Sequence, residues 1–289
     1  MKVLIIIVSY NGMEWIERCL GSALKASASK AVQADVFVVD NCSSDGTPER
    51  IEKDFPKVKL VKSESNMGFG AANNLGLEYA LEHGYDYAYL LNQDAWLLPD
   101  TLDLLLDAAE SAGNFAILSP LQMQADGVHF DTNFEKRALN RKLPEPLYEV
   151  PRVMAAHWLI RLSALKEVGL FAPIFPHYGE DDNLCDRFRA AGWKIGVVSG
   201  AKAIHDRAFR KEPKEKLIRR NYYVKSLVDL CNPLKPLWRI WPYIYAYTLV
   251  KAIRYRSIEP FRYLCKIKSQ KEEILKTRET NSFYSTNKC

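Results

Sequence analysis

A chain of 289 residues with 48% hydrophobic and 26% charged residues has the make-up of a folded globular protein, which excludes disordered, collagen-like and low-complexity classes. Its six cysteines, at 19, 42, 185, 231, 265 and 289, form no C-x-x-C pair and no regular framework, which argues against a disulfide scaffold or structural zinc and for a reducing cytosol. The net charge of +5 divides unevenly: residues 1–201 carry −8 and residues 202–289 carry +13, an acidic body followed by a basic tail suited to an anionic surface.

The apolar run Val3–Val8 is short, passes into Ser9-Tyr10-Asn11-Gly12 and lacks a small-residue cleavage site, so it reads as a buried strand rather than a leader. Trp15, Ile16, Cys19, Leu20 and Ala23 recur at helical spacing. Val36-Phe37-Val38-Val39 is a second strand ending at Asp40, and Pro48 after Asn41–Thr47 suits a first helical turn. Val58–Val61 is a third strand, Asn66–Gly70 a loop, and Ala71–Leu81 a helix. Tyr87–Leu91 is a fourth strand and Pro99–Ala109 another helix. This alternation predicts an α/β fold, a mostly parallel sheet flanked by helices.

From Ala125 to Arg152 the pattern breaks into polar loop with three prolines, read either as a substrate loop or as a plain surface excursion. Arg161–Val168 looks helical and stops at Gly169. Glu180-Asp181-Asp182 opens a helix with Leu184, Cys185 and Phe188 on one face, closed by Gly192. Trp193–Val198 is a strand, Lys202-Ala203-Ile204 a second strand-like segment, and helices rich in aromatic and basic residues follow residue 210.

Ligands of such sheets bind beyond the carboxyl ends of the strands, where Ser9-Tyr10-Asn11, Asp40-Asn41 and Asn92-Gln93-Asp94 fall. No G-x-G-x-x-G follows the first strand and no G-x-x-x-x-G-K-[ST] occurs, so neither a dinucleotide fingerprint nor a Walker loop is present. Tyr10 can stack on a base and Asp40 can accept from a pyrimidine imide N–H; each alone also reads as a structural strand-end residue. Asp94 is placed to hold Mg²⁺ or Mn²⁺, or merely to cap the next turn. His205 can complete such a site or be an ordinary packing histidine. The acidic triplet either answers the helix dipole or offers one carboxylate as a general base, kept ionised by that same dipole.

Five segments in order and spacing resemble the family 2 inverting glycosyltransferases of GT-A fold, especially rhamnosyltransferase-like members. They are Val8–Gly12, Val38–Thr47, Asn66–Gly76, Leu90–Asp94 and Tyr178–Arg187, within residues 1 to about 207. The resemblance implies that Tyr10 and Asp40, with Asn11 nearby, hold the nucleotide base, that Gly68 and Asn74 line the nucleotide-sugar, and that Asn92 meets the ribose. It implies Asp94 and His205 as ligands of a divalent cation, and Asp181 as catalytic base with Glu180 beside it. Gln93 stands where the family pattern has Pro or Asp, and Asn183 where it has a second acidic residue.

The activity so implied is transfer of a sugar from a UDP- or dTDP-linked donor to an acceptor hydroxyl on a cell-surface glycan or lipid-linked precursor. Rival classes are a nucleotidyltransferase of similar fold, which should carry a basic Gly-rich loop near its N-terminus, and a non-catalytic nucleotide-sugar-binding protein. The expected organisation is a catalytic domain over 1–210 and a helical, aromatic and basic C-terminal extension over 211–289. For 237–268, rich in Trp, Tyr, Lys and Arg, two readings stand: peripheral contact with an anionic membrane, or packing on its own domain or on a second copy as a homodimer. Nucleic acid is excluded as a partner by the acidic body and the absence of a recognition motif, and the expected location is the cytoplasm, at the cytoplasmic face of the membrane.

Overall fold

The computed structural model describes residues 1–28, 33–139, 145–175, 177–207 and 213–286. Its frame is a nine-stranded sheet. The first strand, β1 (Lys2–Ser9), runs parallel to β2 (Gln33–Asp40) and to β4 (Tyr87–Asn92), and β3 (Lys59–Lys62) extends the parallel block beyond β2. Between these strands pass α1 (Ile16–Ser27), α2 (Thr47–Asp54) and α3 (Phe69–Glu82).

Val3 to Ile7 are almost wholly buried because both faces of β1 are covered, which is why the strand reads as a continuous apolar run and not as an alternation. Leu4 and Ile6 face a core shared with Ala72 and Leu77 of α3; Val3, Ile5 and Ile7 face a core shared with Ile16 and Leu20 of α1. Burial of each such side chain stabilises the fold by about 1.5–3 kcal/mol. α3 approaches β1 so closely at Gly76 that a Cβ there would lie 2.6 Å from Ile6 Cγ2.

The rest of the body adds β5 (Ala95–Leu97), α4 (Thr101–Ser111), β6 (Phe115–Met123), α5 (Thr132–Arg137), β7 (Leu147–Glu149) and β8 (His157–Arg161), then α6 (Leu162–Val168), α7 (Glu180–Ala190) and β9 (Lys194–His205). The order is β3-β2-β1-β4-β8-β6-β9-β5, with β7 pairing β9. The sheet is mixed: β6 and β9 are parallel, while β8 is antiparallel to both β4 and β6, and β5 and β7 are antiparallel to β9.

Two expectations need correction. The stretch 125–152 is not a plain loop, since it contains α5 and β7, anchored by the buried side chains of Phe134, Tyr148 and Val150. Residues 140–144 of it, and Pro176, lie outside the described residues. The two strand-like segments 193–198 and 202–204 belong to one strand, β9, which shifts register against β6 between Val198 and Lys202.

The C-terminal helices are α8 (Lys214–Ile218), a π-helical turn (Arg219–Val224), α9 (Lys225–Cys231), α10 (Leu237–Tyr255), α11 (Glu259–Ser269) and α12 (Lys271–Thr286). The expected boundary at 210/211 lies outside the described residues. These helices share one apolar cluster with the body: Tyr222, Tyr223, Leu227 and Ile244 pack with Ile174 and Phe175, which precede α7. Gly179, at φ +89°, marks the seam, for a Cβ there would fall 2.7 Å from Val224 Cγ1 and 2.8 Å from Val228 Cγ2. Asn232 Nδ2, just past α9, donates to Asp186 Oδ2 of α7 at 2.7 Å.

Candidate functional site

Parallel register brings the polar strand ends to one edge. Ser9 lies opposite Asp40, and Val8 opposite Asn92. Asp40 is 2% exposed and organises the loop after β2: its Oδ2 accepts from Ser9 Oγ and Ser43 Oγ, and its Oδ1 from the Ser43 N–H. Asn11, at φ +47°, crosses to the same loop, its N–H donating to Ser43 Oγ and its Oδ1 accepting from the Ser44 N–H. The Tyr10 ring between them is exposed, as a stacking platform must be.

Gln93 holds this platform. Its Oε1 accepts from the Tyr10 N–H at 2.7 Å and its Nε2 donates to the Tyr10 carbonyl at 3.1 Å, so one side-chain amide ties the ends of β1 and β4 together. A Cβ at Gly12 would sit 2.5 Å from Gln93 Oε1, so a larger residue there would push the Gln93 amide away from the Tyr10 backbone. Asn92 presents a buried Oδ1 with no hydrogen-bond partner among the described residues.

The opposite wall starts at Gly68, whose φ of +85° favours glycine and whose N–H donates to Asn66 Oδ1. Asn41 joins the walls by donating to Asn66 Oδ1 and accepting from the Met67 N–H. Asn74 is turned elsewhere: its amide donates to the Phe171 carbonyl and accepts from the Phe171 N–H, so it fixes the segment leading to α7. At Gly70 an added Cβ would meet Phe171 Cβ at 3.1 Å and Glu180 Cβ at 3.5 Å, which seats the first turn of α3 on the start of α7.

At the start of α7 the three carboxylates differ. Asp182 pairs with Arg137 Nη2 at 2.8 Å and lies 3.6 Å from Arg152 Nη1. Glu180, 4% exposed, has a buried Oε2 without a partner; desolvation, then the charge of Asp181, pushes its carboxyl well up, to about 8. Asp181 is partly open, has no ion pair among the described residues, and accepts only the Asp182 N–H at 2.8 Å. Desolvation and Asp182 push its carboxyl up to about 6, while Arg137 and Arg152 oppose the rise. Burial and repulsion within the triplet thus push both carboxyls up, and of the two Asp181 is the one open enough to meet a substrate proton, as a general base must. Asn183 is fully buried and its Oδ1 accepts from Arg187 Nε, so the missing acidic residue takes no charge from the open side of the helix.

His205 closes β9 and is 1% exposed; its Nε2 lies 3.6 Å from Asp94 Oδ1 and its Nδ1 3.6 Å from Asp131 Oδ2. Both distances exceed a hydrogen bond, and Nδ1 has no hydrogen-bond partner among the described residues. Burial, Arg207 and His157 drive the imidazole well below its usual pKa, so it is neutral, the form that ligates metal. A neutral imidazole beside a carboxylate is compatible with Mn²⁺, which tolerates one nitrogen among oxygens, whereas Mg²⁺ would use the carboxylate. Among the described residues no group of three or more His, Cys, Asp or Glu is arranged to hold a metal ion, so Asp94 and His205 do not by themselves form a closed metal cage.

Gln93, Asp131, Arg137 and Arg152 were not singled out as functional from the sequence. Asp131 had a readable signal, an Asp ahead of a helix whose Asn133 and Phe134 N–H groups its Oδ1 caps. The two arginines had none, since 45 and 30 residues separate them from Asp182.

The family model described as Glycosyl transferase family 2 matches residues 4–169. N-acetylglucosaminyl-diphospho-decaprenol L-rhamnosyltransferase of Mycobacterium tuberculosis is 28% identical over 235 residues, which are 71% of this chain and 76% of that one. Among solved structures, S. aureus TarS 1-349 superposes with a TM-score of 0.60 at 21% identity, covering 80% of this chain and 65% of its own. GalNAc-T7 with UDP, GalNAc and Mn²⁺ gives 0.58 at 15% identity over 81% of this chain and 50% of its own. These likenesses give the fold as GT-A.

Proposed function

Because the chain belongs to glycosyl transferase family 2, we propose that this glycosyltransferase moves a sugar, with inversion, from a UDP- or dTDP-linked donor to a hydroxyl of a lipid-linked or polysaccharide precursor. The acceptor class follows the activity for which the mycobacterial rhamnosyltransferase is named. The observation that carries the reaction is the placement of Asp181: alone in its triplet it is partly open and, among the described residues, paired with no cation, its carboxylate accepting only the Asp182 N–H.

On this reading the Tyr10 ring stacks on the base and Asp40, whose Oδ1 accepts a single protein hydrogen bond, takes the imide N–H. Asn92 Oδ1 is the unsatisfied acceptor that a ribose hydroxyl would fill. Asn11 and Gly68 hold the loops around the donor, and Asp94 with His205 would hold the cation. Such a cation, when bound, supplies positive charge against the departing diphosphate. Asp181 accepts the acceptor's proton as that oxygen attacks the anomeric carbon opposite the leaving group, and this opposition inverts the centre. Burial favours the neutral form of Glu180, which lessens its repulsion of a charge on Asp181.

The test is Asp181→Asn. A thermal-shift panel of UDP- and dTDP-sugars with Mn²⁺ should show donor stabilisation retained. Transfer should fall by about 10²–10⁴, the usual contribution of a positioned base. Retained transfer would remove the assignment, and loss of donor stabilisation would show Asp181 to be a binding residue instead.

A further inference from the structure

α10 is apolar on two sides. One side, with Ile240, Ile244 and Thr248, is buried against the π-helical turn, where Tyr222 Oη and Thr248 Oγ1 stand 2.5 Å apart. The other side, Trp238, Tyr245, Leu249 and Ile253 at helical spacing, faces outward, with Trp238 and Ile253 each 70% exposed. Arg256, at φ +47°, turns the chain from α10 into α11 and projects Ile258, 63% exposed, and Phe261 alongside. Leu249, Ile253, Ile258 and Phe261 line an open apolar groove of about 620 Å³ at this elbow.

Around this face the charge has one sign. Residues 237–268 hold seven Lys and Arg against the single Glu259, and Arg239, Arg254, Arg256, Arg262, Lys266 and Lys268 are exposed. Lys268 lies 4.9 Å from the Tyr245 ring and Arg239 4.7 Å from the Trp238 ring, which places cations at the edge of the apolar stripe. Among the described residues no helix is long and apolar enough to cross a membrane, and Arg239, Pro242, Lys251 and Arg254 interrupt α10.

We infer that the α10–α11 elbow is a membrane-docking surface. It lies in the plane of an anionic lipid interface, with the Trp238–Ile253 stripe and the Ile258–Phe261 corner among acyl chains and the arginines and lysines among phosphates. Charge decides the occupant. A second copy applying the same face would oppose these cations with identical cations, whereas anionic headgroups complement them. An exposed stripe of this composition also has no place in water without a partner. The inference does not rest on the sugar-transfer chemistry, and its readout needs no donor.

The experiment is co-sedimentation of the full-length protein with vesicles of phosphatidylcholine alone or mixed with phosphatidylglycerol, at low and physiological salt. Two double variants accompany it: Ile253→Asp/Ile258→Asp and Arg254→Glu/Arg262→Glu. All four side chains are exposed, and circular dichroism with Tm verifies that the fold is kept. The wild type should partition onto the mixed vesicles and weaken with salt, and each double variant should bind about tenfold less or worse. Absence of wild-type binding to mixed vesicles, or unchanged binding by both folded variants, overturns the inference. So does a wild-type dimer by light scattering that Ile253→Asp/Ile258→Asp dissolves, because the face then belongs to a second copy.

Discussion

Asp131 and Arg137 stand at the two ends of one helix of six residues: Asp131 Oδ2 faces His205 Nδ1 at 3.6 Å, and Arg137 Nη2 donates to Asp182 Oδ2 at 2.8 Å. At 1.5 Å per residue α5 is about 9 Å long. The imidazole beside Asp94 and the carboxylates at the start of α7 are thus bridged by one short rigid element, inside a stretch whose composition resembles a loop.

Arg137 should tune the base. Its charge opposes the rise of the Asp181 carboxyl, so Arg137→Ala should push that carboxyl higher still. If Asp181 is the base, as proposed, it works when ionised, and activity is lost as pH falls through its pKa. The acid limb of the kcat profile should therefore move to higher pH, with the deficit greatest in acid and shrinking toward alkaline pH. Arg137→Lys, which keeps the charge, should leave the limb near its original place. A uniform loss at every pH would mean that Arg137 serves only packing.

Glu180 should make the fold pH-sensitive. Its folded pKa is raised to about 8 from an ordinary 4.5, so above 4.5 the unfolded chain has released a proton that the folded chain keeps. Stability is then greatest below the unfolded value and declines as pH rises toward the folded value, by about 1.4 kcal/mol per pH unit at most. Glu180→Gln should flatten this decline, leaving the shallower slope from Asp181. Urea unfolding at a series of pH values reads the difference, and an unchanged slope would contradict the buried-acid assignment.

Gln93 should act on the donor more than on turnover. Removing its two bonds to the Tyr10 backbone by Gln93→Ala should cost about 1–2 kcal/mol of stability. The same change frees the Tyr10 ring, proposed to stack on the nucleotide base, so the donor KM should rise several-fold while kcat changes little. Gln93→Glu can still accept from the Tyr10 N–H but cannot donate to its carbonyl, and should fall between the two. Steady-state kinetics with a varied donor separates the terms.

Asp131 has two separable duties. Asp131→Ala should lose the cap of α5, about 1 kcal/mol, whereas Asp131→Asn keeps an oxygen for it. Both remove the negative charge 3.6 Å from His205 Nδ1, a charge that favours a cation at the other ring nitrogen. Both variants should therefore show a smaller Mn²⁺-dependent rise in Tm, while only Asp131→Ala has a lower Tm in chelator. Equal Mn²⁺ response in all three proteins would deny Asp131 that second role.

The parallel half of the sheet was legible because β1, β2 and β4 are buried on both faces and read as unbroken apolar runs ending in polar clusters. Much of the remainder was not. β5 has three residues, too few for a period. β6 carries Pro120 at a register shift and buries Ser119 and Gln122, so it lacks a strand signature. α5 has six residues, and only the N-cap Asp131 announces it. At the site, residues at strand ends were found by position, whereas what holds them was not, because Gln93 to Tyr10, Arg137 to Asp182 and Asn74 to Phe171 are contacts between distant parts of the chain. Asn74 shows the limit of pattern matching. It occupies the expected place in its motif and spends its amide on a backbone 97 residues away.

Gly179 joins the helix that bears the proposed base to the helices that face outward, leaving no room even for a methyl group at the seam. The C-terminal quarter is for that reason not a detachable appendage. A truncation ahead of α8 would strip the platform under Glu180 and Asp181, and a tail grafted from a relative would have to reproduce the Val224 and Val228 surfaces before chemistry could return.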